Sequence, residues 1–375
     1  MKIGILKEKN PENRVAVMPE TVASMIQLNV EIMVEKDAGV NSFVSDSEYE
    51  GAGAKIATRK VVIKNSDLLL FINPLDVDEV KLLDKDKILV GAMNPFFNEN
   101  LVNMLVKSKV TSFSMELVPR ISRAQAMDIL SSMATIAGYK AVLDAALNLK
   151  KFFPMFMSAA GTIKPAKILI LGAGVAGLQA IAIARKLGAV VEVFDVRSAV
   201  KDEVKSLGGK FIEVEGATED AAAGGYAVEQ TDEFKQKQSD LIHQHAIKSD
   251  AVICTAQIPG KRAPLLLKKE TVDQMKPGSV IIDLAASTGG NCELTENNQR
   301  IVHNQIKIIG NSGYPSEMPY DASSMFGRNI FNFIKLLVDD QGNLNLDFND
   351  EIIGGACLTH DGEIVHKLVK KVMNQ

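Results

Sequence analysis

Apolar and polar positions along this chain fall into two similar series. The first contains the short apolar runs KIGIL, EIMVEK, DLLLFIN, KILVGAM and VTSFSMEL. Amphipathic stretches such as PETVASMIQLN and NENLVNMLVKS lie between some of them and read as helices. The second series starts at Lys167 with KILIL, VVEVFDV, KFIEV, AVICTA, SVIIDLAA and IKIIGNS. Strands that alternate with helical segments predict parallel sheets crossed by helices. Between the series, RAQAMDILSSMATIAGYKAVLDAALNL has no proline and few β-branched residues, so residues 123–149 predict one long helix. After the turn-rich GYPSEMPYDASS, the apolar MFGRNIFNFIKLLVDD is expected to return to the first domain and pack there with the C-terminal tail. The predicted fold is α/β: two Rossmann-like parallel-sheet domains separated by a cleft and joined by long helices. Residues 1–127 with 315–375 form the first domain and residues 128–314 the second. There are no internal repeats.

One run needs separate treatment. Ile168 to Ala184 is 17 uncharged residues long, at the short limit for a membrane span. It contains Gly172-Ala173-Gly174-Val175-Ala176-Gly177, which is G-x-G-x-x-G. The pattern follows the apolar KILIL, opens an amphipathic helix, and is followed 18 residues after Gly177 by Asp195 at the end of the next strand. That context predicts a dinucleotide turn rather than a span. Gly172 permits the tight turn, Gly174 lets backbone N–H groups approach a pyrophosphate, and Gly177 lets helix and strand pack closely. Asp195 can accept hydrogen bonds from the adenine ribose diol and would repel a 2′-phosphate, which favours NAD(H) over NADP(H). Arg197 complicates that preference. The plainer alternative is a glycine-rich turn without a ligand.

Composition narrows the classes further. The 375 residues exceed one ordinary core and suit two domains. With 46% hydrophobic and 23% charged residues and a formal net charge of −4, the chain reads as soluble and globular, without a nucleic-acid footprint. Its three cysteines, Cys254, Cys292 and Cys357, have neither metal-ligand nor redox spacing, which points to a reducing compartment. The N-terminal MKIGILKEKNPENR reads as a strand and loop rather than a targeting segment.

Dehydrogenation of an alcohol or amine requires a general base, usually His, Lys or a carboxylate. All five histidines, His243, His245, His303, His360 and His366, lie in the second half. His243 and His245 are two apart on a predicted exposed helix, not the four apart of a helical metal pair, so no metal site is expected. The segment PRISRAQAMDILSS offers another constellation. Gln125, Asp128 and Ser131 recur at i, i+3 and i+6, on one face of the predicted helix, and Arg120 precedes them. Such groups can hydrogen-bond a carboxamide and ribose hydroxyls, or they can be the capping residues of a polar helix start. The spacing leaves both readings open.

Several of these segments also carry a family resemblance. VPRISRAQAMDILSSMATIAGYKAV, ILGAGVAGLQAIAIARKLGAVVEVFDVR, SLGGKFIEV, GGYAVEQTDEF, IPGKRAP and MKPGSVIIDLAASTGGNCE together resemble the NAD(H)-binding component of proton-translocating NAD(P) transhydrogenase. The N-terminal IGILKEKNPENRVAVMPETV is similar both to that component and to its relative, alanine dehydrogenase. The resemblance implies that Arg120, Gln125, Asp128 and Ser131 contact the nicotinamide end of the nucleotide. It implies that Val175, Ala176, Asp195, Val196 and Arg197 lie around the pyrophosphate and adenosine, and that Gly225, Gln238 and Gln257 make further contacts. GGYAVEQTDEFKQKQ looks like the family's mobile loop, with hinge glycines Gly224 and Gly225 and with Tyr226 near a tip that closes over the nucleotide. Thr231 is placed to cap the helix that follows.

Alanine dehydrogenase uses a lysine, a histidine and an aspartate. Here Phe71 and Asn73 stand where lysines are expected, VGAMNPFF has no histidine, and Ser287 stands at the aspartate position. Only Arg14 matches a substrate-carboxylate arginine, and it could equally hold the N-terminal loop by an ion pair. Transhydrogenation needs none of these groups, because a hydride passes between two nicotinamides and no proton moves in that step. The resemblance therefore implies NAD(H) on this chain and NADP(H) on a partner subunit. It also implies a homodimer on the cytoplasmic face of the inner membrane, docked to a membrane-spanning alpha-2 and an NADP(H)-binding beta subunit. The docking surface expected from it is the cleft edge near Arg120 and Tyr226. Neither direct membrane insertion nor nucleic-acid binding is expected. The alternatives are a stand-alone amino-acid dehydrogenase and a non-catalytic NAD(H)-binding regulator.

Overall fold

A computed structural model describes residues 1–214, 231–258 and 260–373. The chain forms two compact units, Met1–Met133 with Pro315–Gln375, and Ala134–Tyr314. Strands are numbered along the chain. The first unit opens with β1 (Lys2–Ile5), β2 (Glu31–Glu35), β3 (Lys55–Ala57), β4 (Leu68–Leu70), β5 (Ile88–Gly91) and β6 (Thr111–Ser114). The second holds β7 (Phe156–Ser158), β8 (Gly161–Ile163), β9 (Lys167–Leu171), β10 (Val190–Phe194), β11 (Lys210–Ile212), β12 (Ala251–Cys254), β13 (Val280–Asp283), β14 (Gln299–His303) and β15 (Ile306–Gly310). The chain then returns to the first unit with β16 (Cys357–His360) and β17 (Glu363–Ile364).

The first sheet has the order β17-β16-β6-β5-β4-β1-β2-β3. Its strands β1 to β6 are parallel, while β16 and β17 extend it antiparallel. The strands read as continuous apolar runs because both faces are covered. Leu68, Leu70, Ile88 and Val90 enter one core, and Leu69 and Leu89 enter the other. The helix Pro319–Leu337 covers the first face with Phe326, Ile330, Phe333, Ile334 and Leu337. Phe333 meets Phe113 edge-on at 5.4 Å between ring centroids.

The second sheet has the order β11-β10-β9-β12-β13-β15-β14. Its first six strands are parallel and correspond to the six apolar runs of the second series. The same two-faced alternation holds: Ile168 and Ile170 face one core, Leu169 and Leu171 the other. The sequence pattern missed β14, an antiparallel edge strand, because QRIVH is short, polar and largely exposed. β7 and β8 form a separate exposed hairpin.

Two further sequence expectations change. The uncharged run Ile168–Ala184 is a strand, a turn and part of the helix Val175–Lys186. The single helix expected over 123–149 is two pieces: a 3₁₀ segment Ser122–Met127 and an α-helix Ile129–Asn148. They are separated by Asp128, whose φ of −76° and ψ of 93° leave the helical region. Among the described residues, no helix is long and apolar enough to cross a membrane.

Within the second unit, Gly138 of the helix Ile129–Asn148 lies against the first turn of Val175–Lys186. A Cβ at Gly138 would sit 2.2 Å from the Ala176 carbonyl oxygen, a backbone atom with nowhere to go. Gly138→Ala is therefore expected to destabilise the protein by about 1–3 kcal/mol, the usual cost of overpacking. Chemical denaturation measures this, and an unchanged midpoint and slope would show that the helices can part without cost.

Candidate functional site

The second sheet reverses direction at β9, which lies between β10 and β12, so its ligand crevice opens at the carboxyl ends of β9 and β12. The glycine turn occupies that position. Gly172 follows β9 with φ of +104° and donates its N–H to Phe194 O at 2.8 Å. Gly177 has no room for a side chain, since a Cβ there would lie 2.0 Å from Gly172 O. Gly174 is the reverse case: a Cβ would meet nothing within 4 Å. The chain therefore leaves open space at the helix N-terminus, where unpaired N–H groups favour an anion. Exposed Val175 and half-buried Ala176 begin that helix. The Thr255 hydroxyl donates to Gly172 O at 3.0 Å and ties the turn to the end of β12.

Asp195 lies where the spacing predicts, at the carboxyl end of β10, but its carboxylate is already engaged. Oδ2 accepts the Ala173 N–H at 2.7 Å, and Oδ1 accepts the Arg197 N–H at 2.9 Å. The Arg197 guanidinium closes a fork on both oxygens, with Nε–Oδ1 of 2.8 Å and Nη2–Oδ2 of 2.7 Å. An unpaired carboxylate would repel a 2′-phosphate, but this one carries its own counter-charge. Discrimination against NADP(H) by charge alone is weaker here than the sequence suggested. Val196 sits half-buried between the two.

Gln238 is half-buried on the helix Asp232–Ala246, which Thr231 caps by accepting the Phe234 N–H at 3.2 Å. Gln257 is exposed and donates to Leu284 O at 2.9 Å, across to the end of β13. Gly224, Gly225 and Tyr226 lie outside the described residues.

The constellation Arg120, Gln125, Asp128 and Ser131 belongs to the first unit. Its residues do not share one helical face, because the backbone breaks at Asp128. Asp128 instead caps the helix Ile129–Asn148: Oδ1 accepts the Ser131 N–H at 2.9 Å and Oδ2 accepts its hydroxyl at 2.6 Å. The capping reading of these two residues is thus realised. Gln125 is exposed on the 3₁₀ segment, and Arg120 is exposed just before it.

The positions compared with alanine dehydrogenase carry no free proton-transfer group. Phe71 is buried in the core. Asn73 donates from Nδ2 to Glu8 at 3.0 Å and to Glu12 at 3.3 Å. Glu8 also accepts the Ile72 and Asn73 N–H groups at 2.6 and 3.0 Å, while burial pushes its carboxyl above the usual range. Glu116 accepts the Met93 and Asn94 N–H groups at 3.0 and 2.8 Å. Arg14 is held by Glu12, Nε–Oε1 2.8 Å and Nη2–Oε2 2.6 Å. Burial opposes ionisation of Glu12, yet this pairing outweighs it and holds the carboxyl down at about 2. Ser287 is exposed on the loop after β13. That loop is shaped by a residue the sequence reading missed, the buried Asp283, which accepts N–H groups from Ala285, Asn291 and Cys292 at 3.0, 2.7 and 3.0 Å. An acid ending an apolar strand before a Gly-Gly turn is the signal that could have found it. Among the described residues, no cluster of three or more His, Cys, Asp or Glu side chains could hold a metal ion.

Comparison with known proteins now decides the family. Residues 4–137 match the model for the alanine dehydrogenase/PNT N-terminal domain, and residues 141–367 match the model for its C-terminal domain. The chain belongs to the alanine dehydrogenase/PNT family. It is 46% identical over 376 residues to the first of the separate polypeptides that make up NAD(P) transhydrogenase subunit alpha of Rhodospirillum rubrum, covering 98% of each chain. It is 43% identical to NAD(P) transhydrogenase subunit alpha of Haemophilus influenzae, covering 97% of this chain and 71% of that one. The crystal structure of a transhydrogenase from Sinorhizobium meliloti superimposes with a TM-score of 0.89 at 40% identity, covering 97% of this chain and 100% of that one. Alanine dehydrogenase of Staphylococcus haemolyticus is 31% identical, over 98% of this chain and 95% of its own length. The family and the two parallel α/β sheets both agree with the sequence reading. In this oxidoreductase family, the chain is more similar to these transhydrogenase alpha chains than to that alanine dehydrogenase.

The Glu12–Arg14 pair gives the family's N-terminal loop a pH signature. The folded-state carboxyl is depressed from 4.5 to about 2, so its contribution is present above 4.5 and lost as pH falls through about 2. A shift of that size corresponds to roughly 3 kcal/mol. Glu12→Gln is expected to flatten the fall in unfolding free energy between those limits. Urea titrations at several pH values measure it, and parallel curves for both proteins would mean the pair adds nothing.

Proposed function

We propose that this chain is the NAD(H)-binding component of an NAD(P) transhydrogenase. It would bind NAD(H) at the glycine turn of the second unit, with hydride exchanged directly with NADP(H) on a partner subunit. Bound NADH supplies a hydride from nicotinamide C4, and NADP⁺ on the partner accepts that hydride with its electron pair, so no proton is released in the step. The observation that carries the reading is the contrast between the two units. The second has the open anion site at Gly174, while in the first Phe71 is in the core, Asn73 binds two carboxylates and Arg14 is taken by Glu12. A hydride exchange between two nicotinamides needs alignment and exclusion of water rather than a base. An amino-acid dehydrogenase needs the base.

Arg120, Gln125, Asp128 and Ser131 would orient the carboxamide and ribose at the nicotinamide end, and Tyr226 would come from the loop that covers the nucleotide. Gly172, Gly174, Val175, Ala176, Gly177, Asp195, Val196, Arg197, Gly225, Gln238 and Gln257 would hold the rest. The chain would act as a homodimer, peripheral on the cytoplasmic face of the membrane, attached through a membrane-spanning subunit and an NADP(H)-binding subunit. The complete complex would couple transfer to proton translocation. Support for a dimer comes from the exposed apolar side chains Leu147, Phe152, Met155, Phe156, Met157 and Ile163, in or close to the hairpin of β7 and β8. A patch of this kind on a protein surface marks an interaction site.

The test mixes the chain with a separately purified NADP(H)-binding domain of a transhydrogenase, NADH and a thio-analogue of NADP⁺. Reduction of the analogue, followed by absorbance, is expected only when both proteins are present. No reduction by a chain that binds NADH, beside a partner known to be competent, would overturn the reading. Substitution Met157→Asp, at a residue 75% exposed, is expected to convert the dimer to a monomer in sedimentation velocity. A monomeric unsubstituted chain, or a variant that remains dimeric, would remove this surface from the account.

A further inference from the structure

The crevice of the second sheet has two walls. One is the glycine turn. The other is Thr255–Gln257, which continues from β12 on the far side of the reversal. The walls touch at Thr255, whose hydroxyl donates to Gly172 O at 3.0 Å and stands 3.2 Å from Leu171 O. A Cβ on Gly172 would come within 2.6 Å of that hydroxyl. The position of Thr255 therefore sets the shape of the turn.

The second wall is itself fixed from elsewhere. Asn291 is fully buried and lies beyond the Gly289-Gly290 turn that follows β13. Its side-chain amide pairs with both polar groups of Ala256. Oδ1 accepts the Ala256 N–H at 3.1 Å, and Nδ2 donates to the Ala256 carbonyl at 2.9 Å. Nδ2 also donates to the Pro264 carbonyl at 2.8 Å. The backbone N–H of Asn291 is anchored in turn on Asp283 at 2.7 Å. One side chain thus imitates a rung of a β-ladder, at the residue between Thr255 and Gln257, where β12 and β13 no longer pair.

We propose that Asn291 is a positioning residue for NAD(H). It holds Ala256, and through it Thr255 and Gln257, in register with the glycine turn, without touching the nucleotide. The inference rests on the NAD(H) reading of the second unit. It also explains why a buried amide occupies this place: only a side chain with a donor and an acceptor at its tip satisfies both halves of the Ala256 peptide.

Two variants test separate links of the relay. Asn291→Asp keeps the size but turns the donating nitrogen into an acceptor facing two carbonyls. NADH affinity, measured by fluorescence titration, is expected to fall about tenfold at pH 8, the scale of one disrupted buried hydrogen-bond pair. The loss should shrink toward pH 6, because a protonated carboxyl restores one donor. Thr255→Val removes the final contact with Gly172 and is expected to weaken NADH by a similar factor. The double variant should lose no more than the weaker-binding single variant, since both act through one loop. Thermal unfolding without nucleotide is recorded in parallel, because a merely structural asparagine would lower stability and leave the affinity of the folded protein unchanged. A folded Asn291→Asp that binds NADH like the unsubstituted chain at both pH values overturns the proposal. If that variant does not fold, unchanged affinity in Thr255→Val overturns it. Failure of the unsubstituted chain to bind NADH would instead remove the NAD(H) reading, and the positioning role with it.

Discussion

Close approach of backbone to backbone is the constraint on which the nucleotide unit depends. Gly177 brings the helix Val175–Lys186 onto the strand end at Gly172, and Gly138 brings a second helix onto Ala176. Each contact is closer than any Cβ permits, so these two glycines fix where the helix N-terminus points. Everything that makes the site a site follows from that aim: the open space at Gly174, the N–H groups of the first turn, and the distance from Gly172 to Thr255. A helix pushed outward by an ångström would still fold against the sheet, but its first turn would no longer face the crevice.

The two units use one topology in opposite ways. In both, the first strand of the series lies between the second and the fourth, which creates a crevice at the carboxyl ends. In the second unit the chain leaves that crevice open. In the first, Glu8 follows β1 and accepts the N–H groups of Ile72 and Asn73 after β4, while Glu116 does the same for Met93 and Asn94 after β5. The chain's own carboxylates stand where strand-end N–H groups would otherwise meet a ligand. This gives a physical account of why the first unit, though built like a ligand-binding sheet, offers no acid–base chemistry.

The features of this structure that are readable in sequence share a property: their cause is local. The parallel strands are apolar because both faces are covered, and KILIL or SVIIDLAA needs no partner to be recognised. The glycine turn announces itself through spacing and through the strand and helix on either side. The missed features depend on partners distant in the chain. Asp128 sits at helical spacing from Gln125 and Ser131, and only its backbone angles show that it ends one element and caps the next. Glu8, Glu116 and Asp283 look like ordinary surface acids until the N–H groups they accept are placed beside them. Asp195 is legible, but its pairing with Arg197 depends on a turn geometry that charge spacing does not reveal. The short edge strands β3, β14 and β17 carry too few apolar residues to stand out.

The nucleotide unit is one uninterrupted segment, Ala134–Tyr314, whereas the first unit is assembled from both ends of the chain. The helix Pro319–Leu337, which covers one face of the first sheet, is synthesised after the whole of the second unit. On the ribosome, the strands that emerge first must therefore wait, with an apolar face uncovered, while a complete domain is made between them and the helix that buries it. Domains fold as units during synthesis. The order of folding is thus the reverse of the order of appearance: the half that begins the chain is the last to close.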